Sequence, residues 1–188
     1  MTSASGEPGR WRTFGAREIY ASPELWLGQI DLELPGGERV WEHVVRLHQT
    51  ALMALVDGQG RVLLVRRHRF VSGEWGWELP GGLVDDEEDP ADAALRELED
   101  TTGYRAGRAE ELITFRPLPE TVDCEYAVYV GRDPVRAGEP VAVSAGARME
   151  WFPLGQVSGL VAAGDIWHGG TLVALLRLLS MDGRTSAG

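Results

Sequence analysis

The sequence predicts an α+β fold held in one domain, residues 12–181, between short tails at 1–11 and 182–188. Three observations carry that prediction. Extended, alternating segments fill residues 17–48, two apolar strands joined by a tight turn follow, and a single well-capped helix stands mid-chain before more strands. At 188 residues the chain is long enough for one ordinary core, and 44% hydrophobic with 25% charged residues is the composition of a soluble globular protein.

Taken in order, REIYASPELWLGQIDLEL and ERVWEHVVRLH alternate as strands do, with the turn Pro35-Gly36-Gly37 between them. ALMALVDGQGRVLLVRRHRF reads as a hairpin, its turn carried by Asp57-Gly58-Gln59-Gly60. GEWGWELPGGLV holds too much Gly and Pro for a helix and reads as a short strand running into a loop. A helix should start at Asp89-Pro90, Asp as cap and Pro in the first turn, and stop at Gly103. Strands are expected near 106–115, 124–131 and 148–152, then two helices, PLGQVSGLVAAG and a last one from about Thr171 to Met181. No internal repeat or heptad run is present.

Composition excludes several roles. A net charge of −11 argues against nucleic acid and membrane surfaces as partners. MTSASGEPGR lacks the apolar segment of a signal peptide, and no apolar run reaches bilayer length, so a cytoplasmic location is expected. All 18 basic residues are Arg, which removes catalytic lysine and lysine-dependent phosphate loops. One cysteine, Cys124, allows no intrachain disulfide and no Cys-based zinc site; in DCEYAVYV it reads as a small buried side chain.

The chemistry concentrates in GGLVDDEEDPADAALRELEDTTGY, residues 81–104. At about 100° per residue, Ala91, Leu95, Leu98 and Thr102 form an apolar stripe, and Asp100 and Thr101 each fall within about 60° of Glu97 and share another face with it. Oxygen ligands at i, i+3 and i+4 suit a hard cation such as Mg²⁺ or Mn²⁺ that also bridges to phosphate. The same spacing suits an ordinary solvated acidic helix, and spacing alone leaves both readings open.

The segment resembles the Nudix box, G-x5-E-x7-R-E-U-x-E-E-x-G-U with U apolar. Gly82, Glu88, Arg96, Glu97, Leu98 and Gly103 match in register, Tyr104 takes the last bulky position, and Asp100-Thr101 stands where the family has two acids. Beyond the box, the N-terminal strands, the RVLLVRRHRF hairpin, WELPGG, Pro119 and GDIWHGGTLVALLRLL resemble the ADP-ribose pyrophosphatase branch over about residues 12–180. The resemblance implies a Nudix-type α/β/α sandwich with a mixed sheet and an N-terminal antiparallel strand segment. It implies divalent-metal-dependent hydrolysis of the diphosphate linkage in ADP-ribose or a related nucleoside diphosphate derivative. It also implies a homodimer through residues 17–48, where Trp26 and Trp41 fit an interface as well as a core.

By the same resemblance, Glu97 leads the metal ligands with Asp100, the Gly81 carbonyl and Thr101. Arg96 pairs with Glu88 to lock loop against helix, and Arg66, Arg67, Arg69 and Glu125 are substrate-binding candidates. Trp75 and Trp77 fit base stacking or packing; His43, His48, His68 and His168 show no ligand spacing and receive no role. Two departures from the pattern coincide. Thr101 is a weaker ligand than a carboxylate, and the tip Ser144-Ala145-Gly146-Ala147 has no acid where this branch draws help in activating water. Glu139 and Glu150 flank that tip, Glu150 on the expected strand, whereas Glu120, Asp123 and Glu125 come from another loop and strand. The alternatives are therefore a Nudix-fold nucleotide-binding protein with weak or lost hydrolysis, or an enzyme altered for a specialised substrate. Thr101→Glu is expected to raise metal-dependent hydrolysis if the site is a weakened family member.

Overall fold

The computed structural model describes residues 10–141 and 146–185. Ser144 and Ala145, half of the acid-free tip, lie outside the described residues. In chain order the elements are β1 (Arg12–Ala21), β2 (Leu25–Glu33), β3 (Arg39–Leu47), β4 (Thr50–Val56), β5 (Arg61–Arg69), β6 (Glu74–Glu78) and β7 (Gly81–Leu83). There follow α1 (Pro90–Thr102), β8 (Tyr104–Arg105), β9 (Glu110–Phe115), β10 (Val122–Asp123), β11 (Tyr126–Arg132), β12 (Val135–Arg136) and β13 (Arg148–Pro153). A 3-10 turn at Leu154–Gln156, α2 (Val157–Ala162) and α3 (Gly169–Thr185) close the chain. Two compact units form: residues up to His48 with Leu118–Cys124, and Gln49–Pro117 with the chain from Glu125 onward.

In the first unit β1, β2 and β3 make an antiparallel meander, and β10 adds a short parallel strand at Val122↔Val45 and Asp123↔Arg46. The expected strand over 17–34 is two strands. Ser22 breaks it, its hydroxyl accepting from the Glu24 and Leu25 amides at 3.2 and 3.3 Å. Gly37, at φ 87°, closes the next turn by donating to the Leu34 carbonyl at 2.8 Å. Arginines lie over the aromatic rings here, Arg46 over Trp26 at 4.4 Å and Arg17 over Trp41 at 4.6 Å. Cys124 is buried and donates to the His48 carbonyl at 3.3 Å.

The second unit is built on a mixed sheet ordered β13-β5-β4-β11-β9, with β11 parallel to β4. Its central strand TALMALV is buried on both faces, hence its unbroken apolar run. Leu52, Ala54 and Val56 pack with Ala174, Leu175 and Leu178 of α3, while Ala51, Met53 and Leu55 pack with Ala93, Ala94 and Leu98 of α1. A sheet covered on both sides by helices is the α/β/α sandwich that the box implied. Trp77 belongs to the first of these cores, edge-on to Phe152 at 4.8 Å.

One departure from a simple hairpin makes the site. At the Asp57–Gly60 turn the Asp57 carboxylate accepts from the Gln59 and Arg61 amides, both at 2.9 Å, and β4 meets β5 at Val56↔Val62. The two strands then diverge. Into the fork runs the 74–83 segment, β6 pairing with β5 from Val65↔Glu78 to Arg69↔Glu74 and β7 pairing with β4 at Thr50↔Leu83 through Leu52↔Gly81.

The ends of α1 follow the local chemistry. The Asp89 side chain accepts from the Ala91 amide at 2.8 Å, Pro90 opens the helix, and Gly103 stops it at φ 68° with its amide on the Glu99 carbonyl at 2.7 Å. Its buried arc differs from expectation. Ala93, Ala94, Leu98, Thr101 and Thr102 are buried, whereas Ala91 and Leu95 are half-buried. With Glu97 at zero and about 100° per residue, that arc runs from about −40° to about 140° and contains the Glu97 side. The small side chains of Ala93 and Ala94 let the helix lie close to β4, turning the carboxylate face inward. Further on, α3 continues four residues beyond the expected end at Met181.

Candidate active site

The fork opens onto a cavity of about 550 Å³ lined by the ends of β4, β5 and β7, by Glu97 of α1, and by Leu79, Tyr126 and His168. Two glycines bring loop and helix together. A Cβ on Gly82 would stand 2.4 Å from the Glu97 carboxyl carbon, and one on Gly81 would stand 2.4 Å from the Ala51 carbonyl. The spacing Gly82…Glu97 in the box is therefore a packing requirement: the carboxylate lies on bare backbone.

Arg96 holds that loop. Its Nε and a terminal nitrogen donate to the two Glu88 oxygens, each at 2.8 Å, the same nitrogen donates to the Leu83 carbonyl at 3.1 Å, and the other terminal nitrogen donates to Glu97 at 2.7 Å. The Glu88 carboxylate also accepts from the Asp85 amide at 3.0 Å. The Arg96 guanidinium brings the Glu88 carboxyl down to about 2. Arg96 thus orients Glu97 while being anchored by Glu88.

The arginines of β5 divide by strand alternation. Arg67 and Arg69 line the cavity; Arg66 lies over the Trp75 ring at 5.8 Å. Arg69 donates to both oxygens of the buried Glu78, Nε at 2.9 Å and a terminal nitrogen at 2.5 Å, which raises the guanidinium above its ordinary value. Arg67 reaches across to α1 and donates to Thr101 Oγ1 at 3.0 Å and to the Gly81 carbonyl at 3.4 Å. Burial, and next the charge of Arg69, pulls Arg67 below its ordinary value; arginine stays charged nonetheless.

Sequence reasoning placed Glu97, Gly81, Arg67 and Arg69 here, and the structure brings all four to one cavity. Thr101, 4% exposed, is not part of the lining among the described residues and is joined to it by its hydrogen bond from Arg67. Asp100 is half-buried and is absent from the lining among the described residues. Glu125 accepts from Gln49 at 3.1 Å and Arg116 at 3.2 Å. His168 and Tyr126 were missed. His168 Nδ1 accepts from the Thr171 amide at 3.3 Å, which leaves the proton on Nε2, and burial lowers the imidazole below its ordinary value, so it is neutral near pH 7. The available signal was His168-Gly169-Gly170 ahead of an apolar helix: a Cβ on Gly170 would meet Leu52 at 2.5 Å.

The cavity thus combines a backbone-seated carboxylate, two arginines and a histidine. The NUDIX domain family profile matches residues 46–175, and the chain belongs to the Nudix family. It is 40% identical over 174 residues to a CMP-5'-(N-acetyl-N-hydroxy-3-aminopropyl)phosphonate hydrolase of Streptomyces rubellomurinus, covering 93% of this chain and 84% of that one. It is 26% identical to an ADP-ribose pyrophosphatase of Mycobacterium tuberculosis, over 83% of this chain and 77% of the relative. In fold it matches the crystal structure of an ADP compounds hydrolase with TM-score 0.82 at 18% identity, covering 97% and 98% of the two chains. Among the described residues, no helix is long and apolar enough to cross a membrane.

Nudix hydrolases generally use divalent metals. The donors at this site fit one hard cation on the Glu97 side, where a single carboxylate lines the cavity and substrate oxygens can complete the shell. They do not make a protein-only cage: among the described residues, no group of three or more His, Cys, Asp or Glu could hold an ion.

Proposed function

We propose that this protein hydrolyses the diphosphate-type linkage between a nucleoside monophosphate and a small phosphonate or phosphate, with Mg²⁺ or Mn²⁺ held by Glu97. The observation that carries the reading is the cavity itself. Glu97 on Gly82 offers one negative ligand, Arg67 and Arg69 offer positive charge for phosphate oxygens, and Nε2 of His168 is left as a neutral donor. A bound cation supplies charge neutralisation on the diphosphate and a more acidic water. Arg96 keeps the Glu97 carboxylate aimed, and Glu88 keeps Arg96 in place. Asp100, Arg66 and Glu125 remain proposed contributors.

The cytidylyl phosphonate hydrolase, at 40% identity, favours a nucleotidyl phosphonate over ADP-ribose as the better substrate. That choice is the altered-enzyme alternative of the sequence. Purified protein with Mg²⁺ or Mn²⁺ should release CMP from a CMP-linked phosphonate, read by anion-exchange chromatography, faster than AMP from ADP-ribose. Glu97→Gln should lower the rate about 100-fold or more, as loss of a charged ligand does. Folded protein that turns over neither compound would defeat the proposal. The working unit is taken to be a homodimer, its contact made by the N-terminal strands, whose Phe14, Ile19 and Tyr20 are exposed.

A further inference from the structure

Thr101 stands where the family box has an acid, and the structure supplies a physical partner for that change. Arg67 donates one terminal nitrogen to Thr101 Oγ1 at 3.0 Å and the other to the Gly81 carbonyl at 3.4 Å. Those oxygens are two of the four that the box implied as ligands of a cation. A guanidinium has five donors and no acceptor, so it cannot itself coordinate a metal ion. Its positive charge also opposes a divalent cation at the same oxygens. The hydroxyl of Thr101 is buried and accepts from Arg67, and Glu97 is one turn away on the same helix.

We propose that Arg67 is a built-in cation on the Thr101 side of the site, taking the oxygens that a second divalent ion would use. On that side substrate phosphate meets a fixed guanidinium, and a divalent ion binds on the Glu97 side alone. The inference rests on reading the cavity as a diphosphate site. It explains why the acid is missing. A carboxylate at position 101 would pair with Arg67 and cancel the charge that the phosphate needs. Glu at 101 would add a metal ligand only if Arg67 were removed as well. The simple expectation that Thr101→Glu alone restores a stronger metal site is thereby revised.

The test counts ions in the free protein, before any substrate is added. Titration with Mn²⁺, followed by electron paramagnetic resonance, should show no more than one bound ion per chain in the wild type. Thr101→Glu alone should add none. Arg67→Gln with Thr101→Glu should bind one further Mn²⁺, at least about tenfold more tightly than any second ion in the wild type. The inference is overturned by two tight Mn²⁺ in the wild type, by a further ion in Thr101→Glu alone, or by a folded double variant that gains none. Should the double variant not fold, Arg67→Gln decides: removing a like charge should tighten Mn²⁺ binding on the Glu97 side, and unchanged affinity refutes the idea. Hydrolysis of the CMP-linked phosphonate, measured in parallel, separates the two claims, because the ion count stands whether or not that compound is turned over.

Discussion

Glu88 and Arg96 lie eight residues apart and meet through two hydrogen bonds of 2.8 Å, with the Asp85 amide adding a third to the same carboxylate. The carboxyl falls from its ordinary 4.5 to about 2 because its charged form is the one bonded. A depressed carboxylate stabilises the fold above its unfolded value and loses that contribution as pH falls through its folded one. The Glu88 contribution should therefore be complete above pH 4.5 and decay down to about 2. Glu88→Gln should cost about 1–2 kcal/mol near neutrality. Thermal melts of the two proteins should differ above about pH 5 and converge near pH 2; a difference that persisted at acid pH would contradict this. The pair was legible in the sequence because the box spacing names it. The partner of Thr101 was not, since Arg67 is 34 residues away on another element.

At the level of elements, α1 has ends written in its own residues and a buried side that is not. Asp89, Pro90 and Gly103 act on backbone groups within a few residues, so the boundaries could be read directly. Gly103 carries two demands, a φ of 68° and an approach so close that a Cβ would stand 2.2 Å from the Gly138 carbonyl. Gly103→Ala should then destabilise by about 1–3 kcal/mol, the cost of left-handed strain plus displacement of the 138 loop. Urea denaturation measures it, and a loss below about 0.5 kcal/mol would show that the loop gives way freely. Which face of the helix turns inward depended on β4. The apolar stripe misses Ala93, Ala94 and Thr101, small side chains whose burial follows from the close approach of the strand.

At the scale of the whole molecule, the N-terminal strands leave Phe14, Ile19 and Tyr20 of β1 exposed, each more than half open to solvent. A second copy of the chain is the proposed cover. Light scattering should give twice the 20.6 kDa of one chain, and Ile19→Asp with Tyr20→Asp should return it to one; a wild-type monomer would remove the homodimer from the proposal. The strands themselves could be anticipated from alternation, and the fold class from the order of strand and helix signals. Their pairing was less visible. β10 joins β3 across about 77 residues of chain, and the divergence of β4 from β5 is filled by a segment that begins five residues later.

By itself the sequence determined most of the longer strands, the ends of α1 and the Glu88–Arg96 clasp, because each depends on residues at fixed short spacing or on one long motif. Only the tertiary structure decided that Arg67 would meet Thr101 and Gly81, that Arg69 would line the cavity while paired with Glu78, and that His168 would enter the cavity as a neutral donor. Those meetings depend on how strands diverge and helices pack, a balance of burial and hydrogen bonding over distant segments that no local pattern encodes.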